Sequence, residues 1–343
     1  MADPAHPGGP GRATRLPTVS PVVFRRLCVL SLVVVTLIVV SGAAVRLTGS
    51  GLGCADWPSC STGHLTPPLH FHALVEFGNR LVTVVITVVV GVTFLAALRR
   101  RPFRRDLTWL AAGLIGGVLL QAVMGGVVVY TKLNPYLVMV HFLASMLLVA
   151  DAVVLLHRCT RQYGPGSGRL LVPRPIRQLA WGALALLGVV ISAGTAVTGS
   201  GPHAGSAQGQ LVAKRIPVPL RDMAELHSSL ALLLIGLCLA MAVALHAVDC
   251  PERVRRAGRI LVVVLVAQAA VGYTQYFTHL PALLVEIHVL GATVLVIGTI
   301  QFLLSLTSHP TERWDGESGQ ADDRRSEPVP VERPHTEGAV IGG

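Results

Sequence analysis

Gln121-Ala-Val-Met-Gly-Gly-Val-Val-Val-Tyr-Thr-Lys-Leu-Asn-Pro-Tyr-Leu-Val-Met-Val-His141 occurs, in altered form, a second time in this chain. It aligns without a gap on Gln268 to His288. Gln121-Ala122 falls on Gln268-Ala269, Gly125 on Gly272, Thr131 on Thr278, Leu137-Val138 on Leu284-Val285 and His141 on His288. Leu and Val recur by chance in apolar segments, but shared Gln, Thr and His at fixed spacing do not. Further out, Thr48-Gly49-Ser50-Gly51 returns as Thr198-Gly199-Ser200-Gly201, so the offset is about 147–150 residues. The chain is therefore read as two similar halves.

Composition says what the halves are made of. Of 343 residues, 52% are hydrophobic, 13% are charged and 5% are aromatic. A soluble domain carries about 25% charged residues, and the mean hydropathy here is +0.62. This excludes one or two water-soluble domains. The body over 22–308 divides into eight apolar stretches, at about 24–46, 72–98, 107–130, 136–157, 176–198, 223–247, 258–277 and 282–307. Each is long enough to cross roughly 30 Å of hydrocarbon. Backbone groups inside a bilayer must be satisfied locally, so the stretches are expected as helices. The first stretch is too long for a signal peptide and has a counterpart in the second half.

The fold class expected is all-α integral membrane, with eight transmembrane helices in two pseudo-symmetric four-helix bundles. Four spans per half give both halves one topology, a parallel repeat about an axis along the membrane normal. The bundles are expected at 23–160 and 161–308, flanked by disordered segments at 1–22 and 309–343 whose polar, Pro-bearing composition cannot bury enough surface. Gly125, Gly126, Gly188 and Gly272 are expected to let helices approach closely.

The net charge of +10 has a topological reading. Arg99, Arg100, Arg101, Arg104 and Arg105 lie between stretches 2 and 3, while Arg158, Arg161, Arg169, Arg174 and Arg177 lie between 4 and 5. Arg253, Arg255, Arg256 and Arg259 lie between 6 and 7. The opposite loops carry few basic residues, with Lys214, Arg215 and Arg221 as the exception. Both termini and the arginine-rich links are expected on the cytoplasmic side of a cell membrane. The basic excess orients helices among lipids; it does not imply nucleic acid.

Ionisable residues inside spans are costly and are the first functional candidates. His141 and His288 start stretches 4 and 8, and His227 starts stretch 6. A single such histidine is ordinarily an interfacial side chain bonded to a carbonyl. Three at repeat-related depths weigh differently. His227 and His288, on facing helices of one bundle, can supply both axial ligands to a haem. In the first half the place of His227 is taken by Asn79, with Glu76 one turn earlier and Arg80 beside it. Glu76 and Asn79 share a helix face. The carboxylate serves acid–base chemistry or simply pairs with Arg80. Duplication followed by divergence gives one cofactor site and one reaction site. His64, His70, His72, His203 and His279 default to solvated or interfacial roles, His72 with a supporting role beside Glu76 as the alternative. His157 and His246 default to structural ones. Glu225 and Glu286 precede second-half histidines by two residues and so point to other faces.

Cys54 and Cys60, in Cys54-Ala-Asp-Trp-Pro-Ser-Cys60, lie in the first outward loop, where their spacing permits a disulfide in an oxidising space. A metal pair is the alternative, though the spacing is not Cys-x2-Cys. If bonded, the pair is either structural or redox-exchangeable, and the loop with Trp57 and Pro58 can form a lid over the first-half site. Cys28, Cys159, Cys238 and Cys250 read as unpaired thiols.

Together, Arg46-Leu-Thr-Gly-Ser-Gly-Leu-Gly-Cys54-Ala-Asp-Trp-Pro-Ser-Cys60, Glu76-Phe-Gly-Asn79-Arg80, His141, His227 and His288 resemble the haem A synthase family over nearly all of the 24–307 body, with an actinobacterial-type form of the second-helix motif. The resemblance implies oxidation of a methyl group of haem O to a formyl group through successive hydroxylations, giving haem A for terminal oxidases. It implies haem b in the C-terminal half on His227 and His288. It implies the substrate haem in the N-terminal half, with its iron on His141 and with Asn79 and Arg80 beside it. The family acid falls on Glu76 and the loop cysteine pair on Cys54 and Cys60. Haem O synthase and terminal-oxidase assembly are the partners implied. The better-known motif has His where Asn79 stands. Five-coordinate iron on His141, an Asn-assisted water, or a shift to His72 are the resulting options. A second cysteine pair found in some relatives is missing, since no cysteine lies between Cys159 and Cys238.

Two other classes compete. A di-haem b-type electron-transfer protein needs haems near both faces, whereas every candidate ligand here lies near one. A transporter on a parallel repeat needs Gly/Pro-broken helix pairs at matching positions.

Overall fold

The computed structural model describes residues 18–54, 56–60, 66–161, 168–206 and 213–309. His64 and most of both tails lie outside them. Eight helices run through the described residues: α1 Pro21–Leu47, α2 Phe71–Arg99, α3 Arg105–Tyr130, α4 Pro135–Cys159, α5 Arg174–Ser200, α6 Leu220–His246, α7 Glu252–Phe277 and α8 Ala282–Ser305. All eight are long and apolar enough to cross a membrane. Their starts follow the local sequence. Ser20 caps α1 by accepting from the Val23 N–H at 3.4 Å, His70 caps α2, and Asn134 caps α4. Prolines 173, 219, 251 and 281 stand at the caps of α5 to α8, where no N–H is needed.

Within each half the helices close a ring. Helices α1, α2, α3 and α4 pack in sequence and α4 returns to α1; α5 to α8 do the same. Thus α2 stands diagonally from α4, and α6 from α8. The rings meet through α1, α4, α5 and α8. The same turn is built twice at equivalent places. Lys132 and Leu133 have φ of 54° and 58° between α3 and α4, and His279 and Leu280 have 65° and 59° between α7 and α8. Left-handed backbone is unfavourable for such residues. In both turns the second N–H donates back into the preceding helix, Leu133 to the Val128 carbonyl at 2.9 Å and Leu280 to the Gln275 carbonyl at 2.7 Å.

Polar connections depart from the sequence expectation in three places. Helix α7 begins six residues before the apolar stretch, because Glu252 pairs with Arg255 and Arg259 at 2.8 and 2.6 Å and supports a basic first turn. Residues 18–22, expected as part of a disordered segment, are ordered: Val19 exchanges hydrogen bonds with Arg99 and Arg101, and α1 already starts at Pro21. Two short strands, β1 Arg169–Leu170 and β2 Thr307–Ser308, pair antiparallel and tie the α4–α5 link to the end of α8.

The outer surface is apolar, with Val84, Val88, Leu147, Val243 and Val263 exposed, as lipid contact requires. Between helices, the buried Ser31 and Thr93 hydroxyls bond at 2.8 Å, which joins α1 to α2 without a water-exposed group.

Candidate functional site

The second-half site is formed across a bundle diagonal. His227 on α6 and His288 on α8 face each other with ring centroids 6.2 Å apart and planes at 76°. Two metal–imidazole bonds of about 2 Å each, plus the two ring radii, span about 6 Å, which is close to this centroid separation. His227 Nδ1 lies 2.9 Å from the Val190 carbonyl, which holds the proton on that nitrogen and leaves the Nε2 lone pair available. His288 Nδ1 is buried without a partner. Among the described residues no group of three or more metal-type side chains occurs. Two opposed imidazoles in an apolar bundle are instead the donor set that suits a macrocycle supplying its own equatorial ligands. Glycines make room for the rings: a Cβ on Gly194 would stand 3.0 Å from His227, and one on Gly272 3.1 Å from His288.

The first-half site is unlike it. Glu76 on α2 is only 5% exposed. Its Oε2 accepts from the Cys54 N–H at 2.8 Å and its Oε1 from Arg80 Nη2 at 2.5 Å. Arg80 also donates to the carbonyls of Asp56, Pro58 and Ser59 at 2.8, 3.2 and 2.8 Å. The acid and the arginine therefore clamp the first loop onto α2 from two ends. Cys54 and Cys60 are joined by a disulfide in that loop. Trp57 lies on α3 where Gly126 leaves space, since a Cβ there would come within 2.7 Å of the indole, and Tyr130 donates to the Trp57 carbonyl at 2.8 Å. The loop is thus a fixed cover over the ends of α2 and α3.

His141 is on α4, diagonal from α2, with its Nδ1 buried and unpartnered as at His288. Gln121 Nε2 holds the His141 carbonyl at 2.8 Å, and Gln268 Nε2 holds the His288 carbonyl at 2.6 Å. The glutamines that marked the repeat thus have one function twice: each steadies the turn that carries a histidine. Asn79 Oδ1 accepts from the Ser41 hydroxyl at 2.7 Å. His72 Nδ1 is 3.0 Å from the Ser50 hydroxyl, within the loop clamp.

The structure brings Glu76, Arg80, Cys54 and Cys60 together and His227 with His288. Asn79 is tied to α1 and His141 stands across the bundle. Three of the glycines expected at close helix contacts accommodate rings instead: Gly125 and Gly272 face imidazoles, Gly126 faces the indole, and nothing lies within 4 Å of a Cβ on Gly188. Cys28, Cys159, Cys238 and Cys250 are free and buried.

Three polar residues have surroundings that the sequence does not reveal. Arg46 donates to the carbonyls of Thr198 and His203 at 3.0 and 2.8 Å, which pins the end of α1 to the end of α5 and its following loop. Glu286 has both carboxylate oxygens buried and without partners. Asp151 lines a groove between α3 and α4 beside Gly113, with Gln121 and Arg158 along the same groove. Its signal was present, a lone carboxylate inside an apolar run.

Comparison with known proteins bears on all of this. The COX15-CtaA family model, described as cytochrome oxidase assembly protein, matches residues 25–73 and 68–300. The chain is 35% identical to the heme A synthase of Geobacillus kaustophilus over 132 residues, 37% of this chain and 40% of that protein. It is 27% identical to that of Staphylococcus saprophyticus over 201 residues, 57% of this chain and 64% of that protein. It is 24% identical to that of Staphylococcus carnosus over 294 residues, 82% and 92% of the two. The chain thus matches less than two thirds of the length of the first two relatives.

Proposed function

The chain belongs to the COX15-CtaA family of cytochrome oxidase assembly proteins, and from that premise we propose that it oxidises a methyl group of haem O to a formyl group, giving haem A. The observation that carries this reading is the inequality of the two halves. One repeat brings two imidazoles side by side across its bundle. The other sets one imidazole across from a buried, clamped carboxylate.

The second half, 161–308, holds haem b on His227 and His288. That cofactor, when bound, supplies reversible one-electron chemistry to the neighbouring half. The first half, 23–160, receives the substrate. His141 binds its iron on one side, and the Asn79 position adds no imidazole on the other. Glu76 is the acid–base group. Its two bonded partners occupy only part of the acceptor capacity of a carboxylate, and they fix its position for proton transfer. Arg80 orients Glu76, and the Cys54–Cys60 loop excludes water above it. The protein lies in the cell membrane with both termini and the arginine-rich links cytoplasmic, so both haem sites face outward. Haem O synthase upstream and terminal-oxidase assembly downstream are the partners this places beside it.

Haem extracted from purified wild type and from Glu76→Ala, His141→Ala and His227→Ala proteins tests the reading. Accumulation of haem O in the first two, with haem b lost only in the third, is expected. Normal haem A in folded Glu76→Ala and His141→Ala proteins would overturn it.

A further inference from the structure

The arginine-rich face contains a cavity that neither haem site uses. Its volume is about 300 Å³, and it lies among the ends of α1, α4, α7 and α8, where the two rings meet. Arg25, Arg161 and Arg253 line it with His157, Gln301 and Ser305, and among the described residues no carboxylate does. We propose that this cavity binds a phosphate-type anion, supplied by the headgroup of an acidic phospholipid.

Three guanidinium groups around one small space repel each other unless an anion joins them, and guanidinium geometry matches phosphate oxygens in pairs. Two acids of this face are engaged elsewhere, and Asp249 does not line the cavity. Asp106 pairs with Arg104 at 2.7 Å and approaches Arg158 at 4.0 Å, and Glu252 pairs with Arg255 and Arg259. The repeat sharpens the contrast. At the offset that aligns His141 with His288, Arg253 occupies the place of Asp106. The second half's own acid, Glu252, stands one residue earlier and is turned to Arg255 and Arg259. Within the cavity, and among the described residues, Arg161 Nη1 donates to the His309 carbonyl at 3.4 Å. His157 Nε2 is buried without a partner, a hydrogen-bonding atom that an anion or its hydroxyl can meet. Val29, Val153 and Leu156 add an apolar wall, and Val29 is 42% exposed. An apolar wall beside a basic mouth suits a headgroup with its chains, and basic pockets between spanning helices bind such headgroups.

The test uses the full-length protein in neutral detergent. Binding is read by native mass spectrometry and thermal shift with phosphatidylglycerol, phosphatidylcholine, or inorganic phosphate against chloride at equal ionic strength. Arg25→Gln/Arg253→Gln removes two cavity cations, both exposed, so the fold is kept. Arg99→Gln/Arg256→Gln removes two exposed cations of the same region outside the cavity. Phosphatidylglycerol should bind wild type and the second double variant alike, and the first on the order of tenfold or more weakly. A response to inorganic phosphate alone, lost in the first variant, would keep the anion site and overturn the lipid as its source. Equal weakening in both variants, or no preference for phosphatidylglycerol over phosphatidylcholine with no phosphate response, would overturn the site itself.

Discussion

Where the first half carries Glu76, Asn79 and Arg80, the second carries Ala224, His227 and Ser228, on helices of the same place and direction. The frames around these triplets are alike. Each has a ring of four helices, a left-handed two-residue turn before its last helix, and a glutamine bonded to the carbonyl of a histidine. Their contents are not alike. The second half spends its diagonal on two opposed rings. The first uses it for one ring and a carboxylate whose charge is matched by an arginine and a peptide N–H. A duplicated bundle keeps its backbone because packing constrains every helix at once. Side chains at its centre can diverge when their new partners come with them, as Glu76 has Arg80 and the Cys54 N–H.

That contrast can be broken most directly at the metal. His227→Ala or His288→Ala should empty the second half of haem b while leaving the first-half loop clamp intact, measured as haem content per protein. Retention of haem b in both variants would end the assignment. Next in size, Glu76→Gln keeps the side-chain volume but removes the charge and one of the two acceptors of the clamp. Conversion of haem O should fall by about two to four orders of magnitude with haem b content unchanged, read by chromatography of extracted haems. Arg80→Met leaves a buried carboxylate without its cation and four hydrogen bonds unmade; a loss of about 3–5 kcal/mol is expected, seen as a lower thermal midpoint. Replacing Cys54 and Cys60 together by Ser should cost about 2 kcal/mol from the small loop they close. If that double variant also lost conversion out of proportion to its stability, the disulfide would be part of the redox chemistry rather than a brace. The smallest change is Asn79→His, which makes the first-half triplet resemble the second. It should shift the substrate haem toward a six-coordinate spectrum, and an unchanged spectrum would show that position 79 does not face the iron.

Much of this is legible in the sequence. The spans followed from apolar length, and the repeat from Gln, Thr and His at one offset. Glu76, His141, His227 and His288 stood out because charge is scarce in the spans. Some things were not legible for a physical reason. That Arg80 serves three loop carbonyls depends on how the loop folds back over α2. That Ser41 takes the Asn79 amide depends on α1 lying beside α2. The early start of α7 depends on ion pairs that an apolar-run reading cannot register. Asp151 is a different case: its signal was in the sequence, but its place in a groove beside Gly113 was not.

By itself the sequence determined the eight helices, their pairing into two halves and the set of side chains available for chemistry. It could do so because a helix in a bilayer satisfies its backbone hydrogen bonds within its own segment, so each span is decided locally. Only the tertiary structure decided which spans are neighbours and which stand diagonally, and therefore that His227 meets His288 while His141 stands across from Glu76. Helix association rests on the fit of many small contacts, and no single stretch of sequence carries that sum.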